Sequence, residues 1–221
     1  MYIMDDTVKL LKAIPVFSEL GTEVLEKVSR NSHRRTYRRN VTIWQKGDEN
    51  TGLFILLSGM VKAVEYTRDG KEFILNLMVP SDTIGEMSLL DKKPHSADIV
   101  AMEETEFLII PPEMFYSISR EHPELIRVFI HNVSDRLRAL SERASVLKYT
   151  DVYGRVCKLI SSLLCRKGIP DKCLSLTHEE IGNLIGATRS NVTRALSEME
   201  KKGLIRCERN RIHILEGFDL S

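Results

Sequence analysis

Residues 175–199 constrain the chain more tightly than any other stretch. Leu176-Thr177-His178-Glu179-Glu180 has the spacing of a capping box. The Thr177 hydroxyl accepts a backbone N–H one turn on, and Glu180 reaches back to the Thr177 N–H, so two donors at a helix start are satisfied together. A short helix follows, with Ile181, Leu184 and Ile185 on one face. Gly186 ends it and Thr188 caps the next helix, whose inward residues are Val192, Leu196 and Met199, at i, i+4 and i+7. Two short helices on a glycine turn form a helix-turn-helix. With that stripe inward, Arg189, Ser190, Thr193 and Arg194 fall outward within the first two turns. In this motif the N-terminal part of the second helix meets base edges in the major groove. One arginine can give two hydrogen bonds to guanine O6 and N7, worth about 1–3 kcal/mol of discrimination. The candidate contact set is Thr188, Arg189, Ser190, Asn191, Thr193 and Arg194. Lys201, Lys202, Arg206, Arg209 and Arg211 add charge for phosphates, which sets affinity and not sequence choice. Gly203–Arg206, a turn at Glu208-Arg209-Asn210-Arg211 and a return over Ile212–Leu215 predict a β-hairpin wing.

Upstream the texture changes twice. Val8, Leu11, Phe17, Leu20, Leu25 and Val28 recur at helical spacing over residues 7–30. From about 33 to 110 the pattern is short β-type runs, among them Thr42–Trp44, Leu53–Leu57, Val61–Val64 and Phe73–Leu75. Turn signals at Lys46-Gly47-Asp48, Ser58-Gly59, Arg68-Asp69-Gly70 and Pro80-Ser81-Asp82 separate them, which predicts a compact β barrel or roll. A long helix should begin near Pro123. Its apolar residues Ile126, Ile130, Val133, Leu137, Leu140, Ala144 and Leu147 alternate in steps of four and three without a break, the seam of a coiled coil, and so predict dimerisation. Arg136, Arg138, Glu142 and Arg143 flank the seam and are expected to be solvated. Tyr149-Thr150-Asp151 interrupts the pattern, with Asp151 as the N-cap of a further helix. The division is therefore 1–120, a β-roll; 121–148, a dimerisation helix; and 149–221, the helix-turn-helix unit.

Charge follows the same division. The 221 residues carry a formal net charge of +1, which would argue against a strongly basic nucleic-acid coat protein. Residues 1–150 hold 20 basic against 22 acidic side chains, whereas 151–221 hold 12 against 9. With 43% apolar and 29% charged residues the composition is that of a globular protein. No apolar run approaches the ~18 residues of a membrane span, and the N-terminus lacks the layout of a secretory signal. Cys157, Cys165, Cys173 and Cys207 form no C-x-x-C pair, so reduced thiols in a cytoplasmic protein are expected. No P-loop, G-x-S-x-G or H-E-x-x-H occurs, which leaves an enzyme reading without support.

Together these motifs resemble the cyclic-AMP receptor protein and fumarate–nitrate regulator superfamily of transcription regulators, over almost the whole chain. The β-roll glycines match at Gly47, Gly59, Gly70 and Gly85. Ile84–Leu90 is similar to the start of the family's phosphate-binding cassette, and Thr188–Arg194 resembles its recognition helix. The resemblance implies an α+β chain with an N-terminal double-stranded β-helix or jelly roll of the cyclic-nucleotide-binding type, a long dimerisation helix and a C-terminal winged helix-turn-helix. It further implies a homodimer on a two-fold-symmetric duplex, controlled by an effector in the β-roll, meeting RNA polymerase if it activates. The effector residues it implies are Gly85, Glu86, Met87, Ser88, His95, Ser96, Ala97, Leu140 and Ser141.

The chain also departs from the pattern. Cyclic-AMP binders end the cassette in Arg-Ser, where this chain has His95-Ser96, and carry a hydroxyl pair where it has Leu140-Ser141. Imidazole offers fewer donors than guanidinium and titrates near 6.5. Cyclic AMP is thus not the leading effector, although a cyclic nucleotide remains a candidate. Haem is another, with His33, His95, His122 and His131 as candidate ligands, whereas an iron–sulfur cluster lacks its N-terminal cysteines. Ser190 stands where well-known members place a glutamate that accepts from cytosine, so that base preference should not carry over. The alternative is a nucleotide- or haem-sensing module acting through protein partners.

Overall fold

A computed structural model describes residues 6–164, 173–208, 211–216 and 218, with the backbone alone over 142–149. The chain divides into two compact units, 1–63 with 77–137, and 64–76 with 138–221. The division falls inside the long helix, not at its end.

The described chain opens with α1 (Asp6–Ala13) and α2 (Thr22–Asn31), followed by eight strands: β1 (His33–Tyr37), β2 (Thr42–Trp44), β3 (Leu53–Ser58), β4 (Val61–Tyr66), β5 (Glu72–Met78), β6 (Thr83–Ile84), β7 (Asp98–Ala101) and β8 (Thr105–Ile110). Helix α3 (Glu86–Asp91) lies between β6 and β7, and α4 (Pro112–Glu121) leads into the long α5 (Glu124–Tyr149). The strands form two four-stranded sheets, ordered β1-β8-β3-β6 and β2-β7-β4-β5. This is the expected roll.

The burial pattern explains the unbroken apolar runs. Phe54, Leu56, Phe107 and Ile109 join Trp44, Val61, Met78 and Ile99 in a core that draws on both sheets. The alternate residues Leu53, Ile55, Leu108 and Ile110 belong to a second core with α1, α2, α4 and α5. A central strand covered on both faces reads as continuous hydrophobicity, not as alternation.

Helix α5 begins at Glu124, directly after Pro123, as its sequence predicts. Its first turns carry two apolar faces. Leu125 and Phe129 are fully buried in the first unit's own core, and Ile126 packs against that core as well. Val133 is half-buried, whereas Ile130, Leu137 and Leu140 are 56%, 65% and 53% exposed. Ile130, Leu137 and Leu140 are therefore the outward members among those described, whereas Val133 is partly covered and Ile126 serves the core. Ala144 and Leu147, with flanking Glu142 and Arg143, lie outside the described side chains.

In the second unit, Asp151 caps α6 (Val152–Leu164), its Oδ1 accepting the Gly154 N–H at 2.8 Å. Val156, Ile160 and Leu163 are buried, and Val152 and Leu159 half-buried. Then come β9 (Cys173–Leu174), α7 (His178–Ile185), α8 (Arg189–Lys201), β10 (Ile205–Glu208) and β11 (Arg211–Ile214). The wing is a three-stranded sheet, β10-β11-β9.

Candidate effector cassette and DNA-reading surface

The reading head follows its caps. Thr177 Oγ1 accepts from the Glu180 N–H at 3.1 Å, and the Glu180 carboxylate accepts from the Thr177 N–H at 2.8 Å. Gly186 ends α7 in the left-handed region (φ 62°). Thr188 Oγ1 accepts from the Asn191 N–H at 3.3 Å, starting α8. The two helices meet closely at Gly182, where a Cβ would lie 2.6 Å from the Ala187 carbonyl oxygen. Arg155 ties α6 to the same turn, donating to the Ile185 carbonyl at 2.8 Å.

Val192, Ala195, Leu196 and Met199 form the buried face of α8. Thr188, Arg189, Ser190, Asn191, Thr193 and Arg194 are all exposed, and so are Arg206 and Arg211 on the wing. Arg209 lies outside the described residues. One contact was not legible in the sequence: His178 Nδ1 lies 2.8 Å from Thr193 Oγ1, linking the first residue of α7 to the second turn of α8.

In the roll, Gly85 holds φ 92° before α3, and a Cβ there would lie 2.8 Å from the Gly52 carbonyl oxygen. Only glycine fits such an approach. It delivers Glu86 to the interior, 2% exposed. The expectation that Arg136 is a solvated flank of α5 is overturned. Its guanidinium pairs with Glu86 Oε1 and donates to the Thr83 carbonyl at 2.7 Å. A long side chain crosses from the helix to the cassette because the buried carboxylate offers it a charge-assisted bond. Burial pushes the Glu86 carboxyl above its ordinary range, against the pull of Arg136.

His95 occupies the far end of the cassette, 5% exposed. Its ring stacks on Trp44, with centroids 4.2 Å apart and planes 14° apart. Nδ1 is 3.3 Å from Ser88 Oγ. The backbone is tied on both sides, the His95 N–H to the Asp48 carbonyl and the His95 carbonyl to the Gly47 N–H, each at 2.9 Å. Burial pushes the imidazolium below its ordinary value, with Asp48 opposing. The ring is thus held neutral, where a guanidinium would carry permanent charge. Glu86 Oε2 and His95 Nε2 are buried without a hydrogen-bond partner, the kind of unsatisfied atom that a ligand can serve.

Ala97 and Ser88 are buried, whereas Met87 and Ser96 are exposed. Leu140 and Ser141 are exposed on the part of α5 that clusters with the second unit. Of the histidines considered for haem, His33 is exposed on β1, His122 pairs with Glu124 and His131 with Asp135. No group of three His, Cys, Asp or Glu suited to a metal ion occurs among the described residues. Cys157, Cys173 and Cys207 are free and half-buried, and burial pushes the Cys157 and Cys207 thiols up, away from the reactive thiolate. Cys165 lies outside the described residues. No described helix is long and apolar enough to cross a membrane.

Comparison with known proteins agrees with this layout. Residues 34–122 match the family described as cyclic nucleotide-binding domain, and 154–218 match the Crp-like helix-turn-helix domain. The cAMP-activated global transcriptional regulator Vfr of Pseudomonas aeruginosa is 30% identical, covering 82% of this chain and 88% of that protein. The global nitrogen regulator of Nostoc is 30% identical over 93% of each. Among solved structures, the Thermus thermophilus catabolite activator protein is 29% identical with a TM-score of 0.53, covering 91% of this chain and 94% of that one. The c-di-GMP responsive regulator CLP of Xanthomonas campestris shares the fold, with a TM-score of 0.71 at 22% identity over 88% and 99%. Fold and site define a two-part regulator, a nucleotide-type sensing roll joined to a helix-turn-helix. The chain belongs to the CRP/FNR family of DNA-binding transcription regulators.

Proposed function

We propose that the chain works as a homodimer that reads a two-fold-symmetric operator and is controlled by a small molecule at its cassette. The outward face of α8 carries this reading: it is exposed and holds Arg189 and Arg194, while the opposite face is fully apolar and buried. The exposed stripe of Ile130, Leu137 and Leu140 supports the dimer, since a narrow apolar seam on a long helix is the coiled-coil surface. Half-sites about one helical turn apart would follow from the two-fold axis.

Fluorescence anisotropy on a selected operator and on random duplex tests the assignment. Arg189→Ala should lower operator affinity about 10- to 100-fold, the worth of a bidentate arginine–guanine pair, and leave random-duplex binding nearly unchanged. Arg211→Ala should weaken both together, as loss of a phosphate contact does. Equal losses on both duplexes with Arg189→Ala would refute its role.

The effector differs from a cyclic phosphate clamped by arginine. What supports this is His95, buried and held neutral, together with Glu86 already engaged by Arg136. Proteins similar to this chain are named for different effectors, cAMP in one case and c-di-GMP in another. Isothermal titration with cyclic AMP should give no heat at pH 8 and only weak heat near pH 6, where imidazole begins to charge. Strong heat at pH 8 would sink this reading. The protein is accordingly a cytoplasmic regulator without catalytic activity, and an activating role would bring it against RNA polymerase.

A further inference from the structure

We propose that Thr193 is a specificity-determining residue that reads thymine by its methyl group and not by its hydroxyl. The inference rests on the DNA-reading assignment made above. Thr193 lies outward on α8, exposed between Arg189 and Arg194. A threonine on a recognition helix can present a donor, an acceptor or a methyl to a base edge. Two neighbours remove the first choice. Thr193 Oγ1 lies 2.9 Å from the Arg189 carbonyl oxygen, to which it donates, and 2.8 Å from His178 Nδ1.

Either tautomer of His178 gives the same result. If Nδ1 carries the proton, the ring donates to Oγ1 and the hydroxyl proton goes to the Arg189 carbonyl. If Nδ1 is bare, the hydroxyl proton is drawn to one of two acceptors already in place. No donor is left for guanine O6, a purine N7 or thymine O4. What remains toward the groove is acceptor capacity at Oγ1, which thymine O4 cannot use, and the Cγ2 methyl, whose counterpart in the major groove is the C5 methyl of thymine. His178 thus acts as a positioning residue. It fixes what Thr193 can read and joins the start of α7 to the reading turn of α8.

The test uses the full-length chain and a duplex selected from random sequence. Each thymine of the half-site is replaced in turn by deoxyuridine, which deletes the C5 methyl and leaves every hydrogen-bonding group. One position per half-site should lose about fourfold in affinity, the worth of one buried methyl group. Thr193→Ser keeps both hydroxyl contacts and deletes the protein's methyl, and should abolish that sensitivity. Thr193→Val keeps the methyl and should retain it. Thermal melts of both variants should match the parent, since the site is exposed.

An operator with no deoxyuridine-sensitive thymine would overturn the proposal. So would a sensitivity unchanged in Thr193→Ser, or a penalty that follows removal of an adenine or cytosine amino group. Each of these leaves DNA reading itself intact. Failure to enrich any duplex would overturn the DNA-reading assignment and this inference together.

Discussion

Trp44 is the single tryptophan of the chain, and it lies ring on ring with His95. Its fluorescence therefore reports the cassette directly. Burial holds the folded imidazolium pKa below the value near 6.5 of the unfolded chain. Proton uptake then favours the unfolded state. The stabilisation from neutral His95 is complete above about pH 6.5 and is lost as pH falls through the lower folded value. Melts followed by Trp44 emission should show a midpoint that is flat above neutrality and declines below it. His95→Gln should remove that part of the decline; an unchanged decline would show that another group causes it. Glu86 and Arg136 carry the complementary prediction. Arg136→Ala leaves a buried carboxylate without its charged donor, at a cost of about 2 kcal/mol, and its carboxyl pKa should rise further. Urea unfolding at pH 5 and pH 8 separates these effects, with the larger loss at pH 8, where the stranded group must ionise.

Elements differed in how far they could be read in advance, and the reason is where their information lies. Both helices of the reading head carry it locally, in Thr177, Glu180, Gly186 and Thr188, and all four act as their types predict. Thr177→Ala should cost about 1 kcal/mol, as other capping losses do. Gly182→Ala should cost more, about 1–3 kcal/mol for overpacking, because its Cβ would meet a backbone oxygen and not a movable side chain. Circular-dichroism melts check both, and the order of the two losses matters more than their size. Strand β1 was not legible as a strand. His33-Arg34-Arg35-Thr36-Tyr37 has little β propensity, and four of its five residues are exposed. It is a strand because β8 pairs with it throughout, His33 to Ile109 and Tyr37 to Thr105. Leu125 and Phe129 were hidden differently: a strict heptad reading assigns α5 one face, whereas its first turns need two. Arg136 and His178 were illegible because their partners depend on tertiary approach, 50 residues away in one case and 15 in the other.

For the whole molecule, α5 is the element that the proposed sensing and reading would share. The cassette grips it through Arg136, and from Arg138, two residues later, the helix belongs to the second compact unit. An effector acts on such a device only by binding its states unequally, so any group that competes for Glu86 acts on the helix that also bears the exposed seam. In the proposed homodimer this would join oligomeric state to operator binding. Leu137→Lys with Leu140→Lys puts like charges on two exposed seam positions without touching the core of either unit. Sedimentation equilibrium should then report a monomer whose melting midpoint is close to that of the parent. Operator affinity should fall by about 10³-fold, toward non-specific binding, because each head alone contacts one half-site. Random-duplex binding should fall far less, since that depends on phosphate contacts made by each head. Moving the half-sites apart by half a helical turn should reproduce the loss in the parent chain and leave the monomeric variant unaffected. A double-lysine variant that stays dimeric would place the dimer contact elsewhere than the 130–140 stripe, and one that is monomeric yet binds the operator at full affinity would dissociate the two-fold axis from recognition.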